Sequence, residues 1–433
     1  VLFVPEIPAK DPRKYLKRIA DDILKRKISA SGAVLIEGPK WCGKTWTATA
    51  ASNSQLFMQD PDRQVSYLKA ADTKPSLLLQ GETPRLLDEW QTAPVLWDAV
   101  RFAIDQRGEA GQFILTGSAV PSDNVVQHSG TGRISRMMMR PMSLFESLES
   151  SGSVSIKALF DGKTEIDSFS SLTIERIAFA IARGGWPASI GNDTDTALLR
   201  AIDYVEAVIN ADVSRVDGIT KNPNRVRALM RSLSRNISTL ASNETIRADI
   251  AMSDEDENVS DKTILQYLRA LNRIFITDNL PAWNPALRSK TAVRTSPKRQ
   301  FADPSIAVAT MRLSPERILG DFEYFGFLFE ALCDRDLRVY AEANDGQLFH
   351  YRDASGLEAD AVICLNDGRW APIEIKLGKR EIEEGAKHLI GLRDRIDTAK
   401  MREPSFLMIV TGTEVAYRRE DGVFVVPVGC LRD

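Results

Sequence analysis

The chain has 433 residues, 43% of them hydrophobic and 27% charged, and its net charge is −3. Such a length serves two to four domains of ordinary globular composition, and the near-neutral balance excludes a polycation that binds by bulk charge alone. No apolar run approaches the roughly 20 residues that span a bilayer, and the first residues lack the basic-then-apolar layout of a secretory signal. The cysteines at 42, 333, 364 and 430 have neither zinc nor disulfide spacing, so the expected compartment is a reducing cytoplasm and no membrane partner is expected.

In chain order, Tyr15, Leu16, Ile19, Ile23 and Leu24 recur at near-helical spacing and predict an amphipathic helix leading into the first strand. Ala33-Val34-Leu35-Ile36 is a continuous apolar run and reads as a buried strand. Directly after it, residues 38–45 read Gly-Pro-Lys-Trp-Cys-Gly-Lys-Thr, the spacing of a phosphate-binding loop. Gly38 and Gly43 let the backbone curl so that N–H groups converge on phosphate oxygens. Lys44 is expected against the β- and γ-phosphates of ATP, and the Thr45 hydroxyl on Mg²⁺. Residues 44–51 suit a helix whose N-terminus faces the anion. Gly38, Pro39, Lys40, Trp41, Cys42, Gly43, Lys44, Thr45 and Trp46 are therefore the expected nucleotide-binding segment.

Arg85-Leu86-Leu87-Asp88-Glu89 reads as a short strand ending in two carboxylates. Asp88 is the candidate Mg²⁺ acid and Glu89 the candidate base that polarises the attacking water. Leu96, Val100 and Ile104 predict a crossover helix. Residues 112–115 form another apolar run, ending in Thr116-Gly117-Ser118, and Thr116 or Ser118 would present a hydroxyl to the γ-phosphate or water. Arg133 or Arg136, beyond a glycine-rich turn, would contact a nucleotide, Arg133 as an arginine finger toward a neighbour's if the chain forms an oligomer.

Residues 151–172 are rich in Ser, Gly and Asp and read as a linker or insertion. Residues 173–216 read as helical, interrupted by Arg183-Gly184-Gly185-Trp186-Pro187. Val226, Leu229, Met230, Leu233 and Ile237 predict an amphipathic helix over 224–240. Asp261 caps another, with the stripe Ile264, Tyr267, Leu268 and Leu271. Residues 274–276 and 298–301 read as the strands of a wing. Between 260 and 300 eight basic residues (Lys262, Arg269, Arg273, Arg288, Lys290, Arg294, Lys298 and Arg299) face only Asp261 and Asp278. Three helices, two strands and a basic excess suggest a winged helix-turn-helix that meets a phosphate backbone, with DNA as the partner.

The last third is a separate α/β unit, with a helix over 322–332 that carries Glu330 and strands at 348–351, 360–363, 371–376 and 406–410. Asp360 and the triplet Glu374-Ile375-Lys376 place two carboxylates on adjacent strands and a lysine on the same strand face. Such a set would hold a second Mg²⁺ or Mn²⁺, with Lys376 orienting a water and Glu330 or Glu358 completing the shell, for phosphodiester hydrolysis.

Together, Gly38–Thr45 with Trp41 and Cys42, Leu86–Glu89, Ile114–Ser118, Gly184–Pro187 and Phe301-Ala302-Asp303-Pro304 resemble the prokaryotic AAA+-like ATP-binding proteins of the archaeal-ATPase type. These end in a domain similar to PD-(D/E)XK nucleases. The resemblance implies an ASCE-type parallel-sheet P-loop core over 1–150, a helical lid over 173–216, a winged helix over 217–312 and an α/β restriction-endonuclease-like domain over 313–433. It maps the family's loop lysine and threonine to Lys44 and Thr45 and its Walker B acids to Asp88 and Glu89. One departure is plain: the sensor strand ends in Thr116-Gly117-Ser118, not in the asparagine common in AAA+ proteins. The expected function is a Mg²⁺-dependent ATPase coupled to a DNA-interacting C-terminal half. The alternatives are a metal-dependent DNA nuclease with ATP as a switch, and a nucleotide-gated DNA-binding regulator.

Overall fold

Short apolar runs separated by amphipathic helices decide the architecture at both ends of the chain. The computed structural model describes residues 15–118, 130–215, 221–253, 260–285, 293 and 295–433. They divide into two units, Val1–Gly38 with Gly43–Met139, and Pro39–Cys42 with Arg140–Asp433. Among the described residues no helix is long and apolar enough to cross a membrane.

The first unit runs α1 (Ile19–Ala30), β1 (Ala33–Glu37), α2 (Lys44–Ala51), β2 (Ser54–Phe57), α3 (Gln64–Thr73), β3 (Arg85–Asp88), α4 (Val95–Arg107), β4 (Phe113–Gly117) and β5 (Ile134–Met138). Its five strands form a parallel sheet in the order β2-β3-β4-β1-β5, with Ala33 opposite Phe113 on one side and Ile134 on the other. β1 and β4 are buried almost throughout, which is why they read as unbroken apolar runs. Leu96, Trp97, Val100 and Ile104 of α4 pack into the same core as Leu35, Leu87 and Leu115. β4 separates the loop-bearing β1 from the acidic β3. Tyr15 and Leu16 precede α1 rather than joining it. The Tyr15 hydroxyl bonds to Asp21 on α1 and shares a 2.9 Å hydrogen bond with Thr47 on α2.

In the second unit, residues 151–172 are more than a linker. They hold β6 (Val154–Ser155), α5 (Ile156–Phe160) and β7 (Ser168–Phe169), because Val154, Ile156, Leu159 and Phe160 interrupt the polar composition and are buried. Then follow α6 (Ile174–Arg183), α7 (Thr194–Ala207), a π-helical turn Val208–Asp212, α8 (Val213–Arg215), α9 (Pro223–Arg235), α10 (Asn243–Ser253) and α11 (Asp261–Arg273). Beyond α11, the chain around Thr277–Leu280 pairs antiparallel with Lys298–Phe301. This begins three residues later than the expected 274–276 strand, since Phe275 takes a left-handed backbone (φ 58°) that turns the chain out of the helix. The connecting residues Arg288, Lys290 and Arg294 lie outside the described residues.

The remainder comprises α12 (Ser305–Thr310), α13 (Pro315–Leu319), α14 (Phe322–Ala343), β8 (Gly346–Arg352), β9 (Glu358–Leu365), β10 (Trp370–Lys376), α15 (Ile382–Arg395), β11 (Met408–Thr411), β12 (Val415–Arg418), β13 (Phe424–Pro427) and β14 (Leu431–Arg432). Seven strands form a mixed sheet in the order β7-β12-β13-β11-β10-β9-β8, and β14 pairs with β6. α14 runs eleven residues beyond the expected end at Leu332. Its charged run Asp334-Arg335-Asp336-Leu337-Arg338 is buried rather than solvated, so it does not stop the helix.

That burial is tolerated because each charge meets a partner. Arg335 lies 2.9 Å from Asp303 and 2.7 Å from Asp336. Asp303 also accepts from the N–H of Gly185 at 3.0 Å and of Ser305 at 2.9 Å, and Asp336 accepts from the Leu144 N–H at 2.9 Å. Gly185 must be glycine here: a Cβ would stand 2.1 Å from the Met142 carbonyl oxygen. Nearby, Arg140 and Arg338 hold Asp278 at 2.7 and 2.5 Å and keep its carboxyl well below the ordinary range against the push of burial. Arg335→Ala would leave two buried carboxylates without their cation. It is expected to destabilise the second unit by about 3–5 kcal/mol, read as a lowered midpoint in urea denaturation, and an unchanged midpoint would show the pair to be energetically idle.

Candidate nucleotide and acidic sites

The loop after β1 owes its shape to Gly38 (φ 149°) and Gly43 (φ 104°), conformations that L side chains rarely adopt. Gly43 is the N-cap of α2, so the orphan N–H groups of that helix open onto the loop. The buried Lys44 donates from Nζ to the Gly38 carbonyl at 2.8 Å. Thr45 Oγ1 donates to Asp88 Oδ1 at 2.8 Å, and Thr116 Oγ1 donates to the same oxygen at 2.6 Å. Thr116 Oγ1 in turn accepts from the Glu89 N–H at 3.2 Å. Glu89 has a left-handed backbone (φ 53°), which ends β3 abruptly and gives the two adjacent acids different surroundings. Its Oε2 accepts from Ser118 Oγ at 3.0 Å and from Gln91. Thr45, Asp88, Glu89, Thr116 and Ser118 thus form one hydrogen-bonded network across β3, β4 and the start of α2. Gln91 carried no sequence signal.

Trp46, on the first turn of α2, is half exposed. Pro39–Cys42 group with the second unit. There Lys40 Nζ lies 2.6 Å from Asp212, which ends the π-helical turn, and Cys42 is fully buried. Trp41 packs on Tyr204 with ring centroids 5.5 Å apart, and Tyr204 on Trp186 at 4.5 Å. Both candidate arginines are already engaged within the first unit. Arg133 pairs with Asp105 at 2.8 Å and donates to the Thr131 carbonyl. Arg136 pairs with Glu37 at 2.9 Å and lies over the Trp97 ring.

Asp360, Glu374 and Lys376 do converge, on the neighbouring antiparallel strands β9 and β10, but not around a vacant cation position. Lys376 Nζ lies 3.2 Å from Asp360 Oδ2 and 2.6 Å from Glu374 Oε2, and Asp360 Oδ2 also accepts from the Ile375 N–H at 2.8 Å. Glu374 is fully buried. Burial and the Asp360 charge push its pKa up to about 7, and His388 on α15 stands 3.6 Å from its other oxygen. The two acids expected to complete a metal shell are taken by other cations. Glu330 pairs with Lys298, whose Nζ also donates to the Asp360 carbonyl at 2.8 Å, and Glu358 lies 3.5 Å from Arg352. Among the described residues no group of three or more His, Cys, Asp and Glu side chains could hold a metal ion. The expected second Mg²⁺ or Mn²⁺ at Asp360 and Glu374 finds no support here: the ammonium of Lys376 contacts both carboxylates.

Comparison with known proteins divides the chain in three. Residues 30–148 match the family described as an AAA domain. Residues 174–317 and 325–431 match two separate domains of unknown function (DUF8612 and DUF4143). No curated protein matches the chain. Among solved structures it is similar to the Walker-type ATPase PABY2304 of Pyrococcus abyssi, with 14% identity and a TM-score of 0.43, over 69% of this chain and 97% of that one. The segment from β1 to β5 thus combines a parallel sheet with a match to an AAA domain. Removing the loop cation tests the site directly. Lys44→Ala is expected to weaken ATP binding tenfold or more, the equivalent of about 1.5–3 kcal/mol for a hydrogen bond to a charged group, and titration calorimetry giving an unchanged Kd would exclude the loop as the phosphate site.

Proposed function

We propose that the first unit binds ATP with Mg²⁺ and hydrolyses it, and that the second unit contacts nucleic acid. The observation that carries the ATPase reading is the single Asp88 oxygen shared by the Thr45 and Thr116 hydroxyls, beside a lysine folded over a glycine loop. The match of residues 30–148 to an AAA domain supports it.

The donor set fits Mg²⁺: a hydroxyl and a carboxylate are hard oxygen ligands, and they already touch. Thr45 and Asp88 would hold the ion, which when bound neutralises phosphate charge. With ATP in the loop, Lys44 exchanges the Gly38 carbonyl for phosphate oxygens, a stronger charge-assisted contact. The N-terminus of α2 favours the same anion. Glu89 takes the proton of the attacking water, and Ser118 and Gln91 fix the carboxylate that does so. Thr116 ties the Glu89 backbone to Asp88 and so occupies the sensor position with a hydroxyl. Arg133 would have to leave Asp105 before serving as a finger toward another copy.

The nucleic-acid reading rests on α11, whose Arg269 and Arg273 have no ion-pair partner among the described residues. The basic face is smaller than its sequence suggests, because Lys298 is buried against Glu330 and Arg299 bonds to the Ala241 carbonyl. For the alternative nuclease reading, Lys376 would first have to vacate the space between Asp360 and Glu374. Glu89→Gln is expected to keep ATP affinity within about threefold while lowering turnover by 10²-fold or more, whereas Asp88→Asn should weaken Mg²⁺-dependent binding. Phosphate release from Glu89→Gln at the wild-type rate would remove Glu89 as the base.

A further inference from the structure

We propose that the cleft between α11 and the Thr277–Asn279 segment is a phosphate site for the backbone of duplex DNA. This rests on the nucleic-acid reading of the second unit and gives it a place. The cleft has a volume of about 360 Å³, and its polar lining includes Arg269, Asn272 and Arg273 of α11 with Asn243, Asn279 and Arg299. None of the lining residues is acidic. Arg299 is held by neutral acceptors alone, Nε to the Ala241 carbonyl at 2.8 Å and Nη2 to Asn243 at 2.7 Å. Burial pulls its pKa below the ordinary value, the mark of a cation without a counter-charge.

Among the described residues, three acids of the flanking elements are committed elsewhere. Asp278 is taken by Arg140 and Arg338, Asp261 by Arg247 at 3.0 Å and Asp249 by Arg235 at 2.7 Å. Glu244, on the first turn of α10, does not line the cleft. Three arginines therefore line one space in which, among the described residues, no acid stands. Guanidinium forks match phosphate oxygens two at a time, and the three asparagine amides add neutral donors. Among the described residues no aromatic side chain lines the cleft, which favours a backbone phosphate over a free nucleotide that would stack its base. Leu265, Leu268, Arg269 and Asn272 recur at helical spacing on one face of α11. A 13-residue helix is about 20 Å long and fits a major groove about 12 Å wide, which favours a duplex.

The test is fluorescence anisotropy of a labelled duplex of about 25 base pairs with the full chain, titrated with salt. Arg269→Ala with Arg273→Ala is expected to lower affinity at least tenfold at about 0.1 M salt and to flatten the log–log salt slope by about two units, roughly 0.9 for each phosphate that the variant no longer neutralises. Arg269→Lys with Arg273→Lys should keep the slope and lose only part of the affinity. An unchanged ATP-induced thermal shift shows that the variants are folded. If the wild type binds the duplex and the double alanine variant keeps its slope, the cleft assignment is wrong and the nucleic-acid reading survives. If the wild type binds no duplex at low salt, both fall. Equal affinity for single strands, or displacement of the duplex by a few millimolar inorganic phosphate or ATP, would overturn the duplex as the occupant.

Discussion

A charge taken out of water costs several kcal/mol unless a counter-charge or a full set of hydrogen bonds meets it, and this requirement shapes both units. In the first it places Asp88 beneath two threonine hydroxyls drawn from α2 and β4. In the second it gathers Gly185, Asp303, Ser305, Arg335 and Asp336 into one buried network. Segments more than a hundred residues apart are brought together there by the need to satisfy a single aspartate. Packing alone would accept many registers of these helices, whereas a buried ion pair accepts few.

The same rule explains why two acid-rich constellations behave differently. Around Asp88 the partners are hydroxyls, which carry no charge to oppose a cation. Around Asp360 and Glu374 the partner is an ammonium, which competes with a cation and cannot ligate one. Carboxylates on adjacent strands are therefore insufficient evidence for a metal; what already lies between them decides. Lys298 repeats the lesson, since it counts as a surface positive charge in the sequence and is in fact buried between Glu330 and the Asp360 carbonyl.

The phosphate loop carries two kinds of tie. Lys44 and Thr45 bond to Gly38 and Asp88, partners that nucleotide and Mg²⁺ would replace. Lys40 and Trp41 instead belong to the second unit, through Asp212 and the aromatic pair Tyr204 and Trp186. A π-helical turn ending at Asp212 is an uncommon backbone, and such turns often occur at functional sites.

Residue order by itself determined whatever depends on neighbours in the chain. The run Ala33–Ile36, the glycines at 38 and 43 and the helix over 44–51 were legible because strand burial, left-handed turns and helix initiation are local. So was the acidic end of the 85–89 strand. The sequence also marked Gly184–Pro187 and Phe301–Pro304 as motifs without showing that Gly185 and Asp303 meet. Only the tertiary structure decided which of two hydroxyls, Thr116 or Ser118, serves Asp88 and which Glu89. It also decided that residues 154–169 add strands to later elements, that α14 continues through its charged run, and that Lys376 separates the carboxylates it was expected to assist. Each of these turns on which charge or strand lies opposite in space, from 16 residues away for Lys376 and Asp360 to 277 for Val154 and Leu431, and such a partner leaves no periodic trace in the chain.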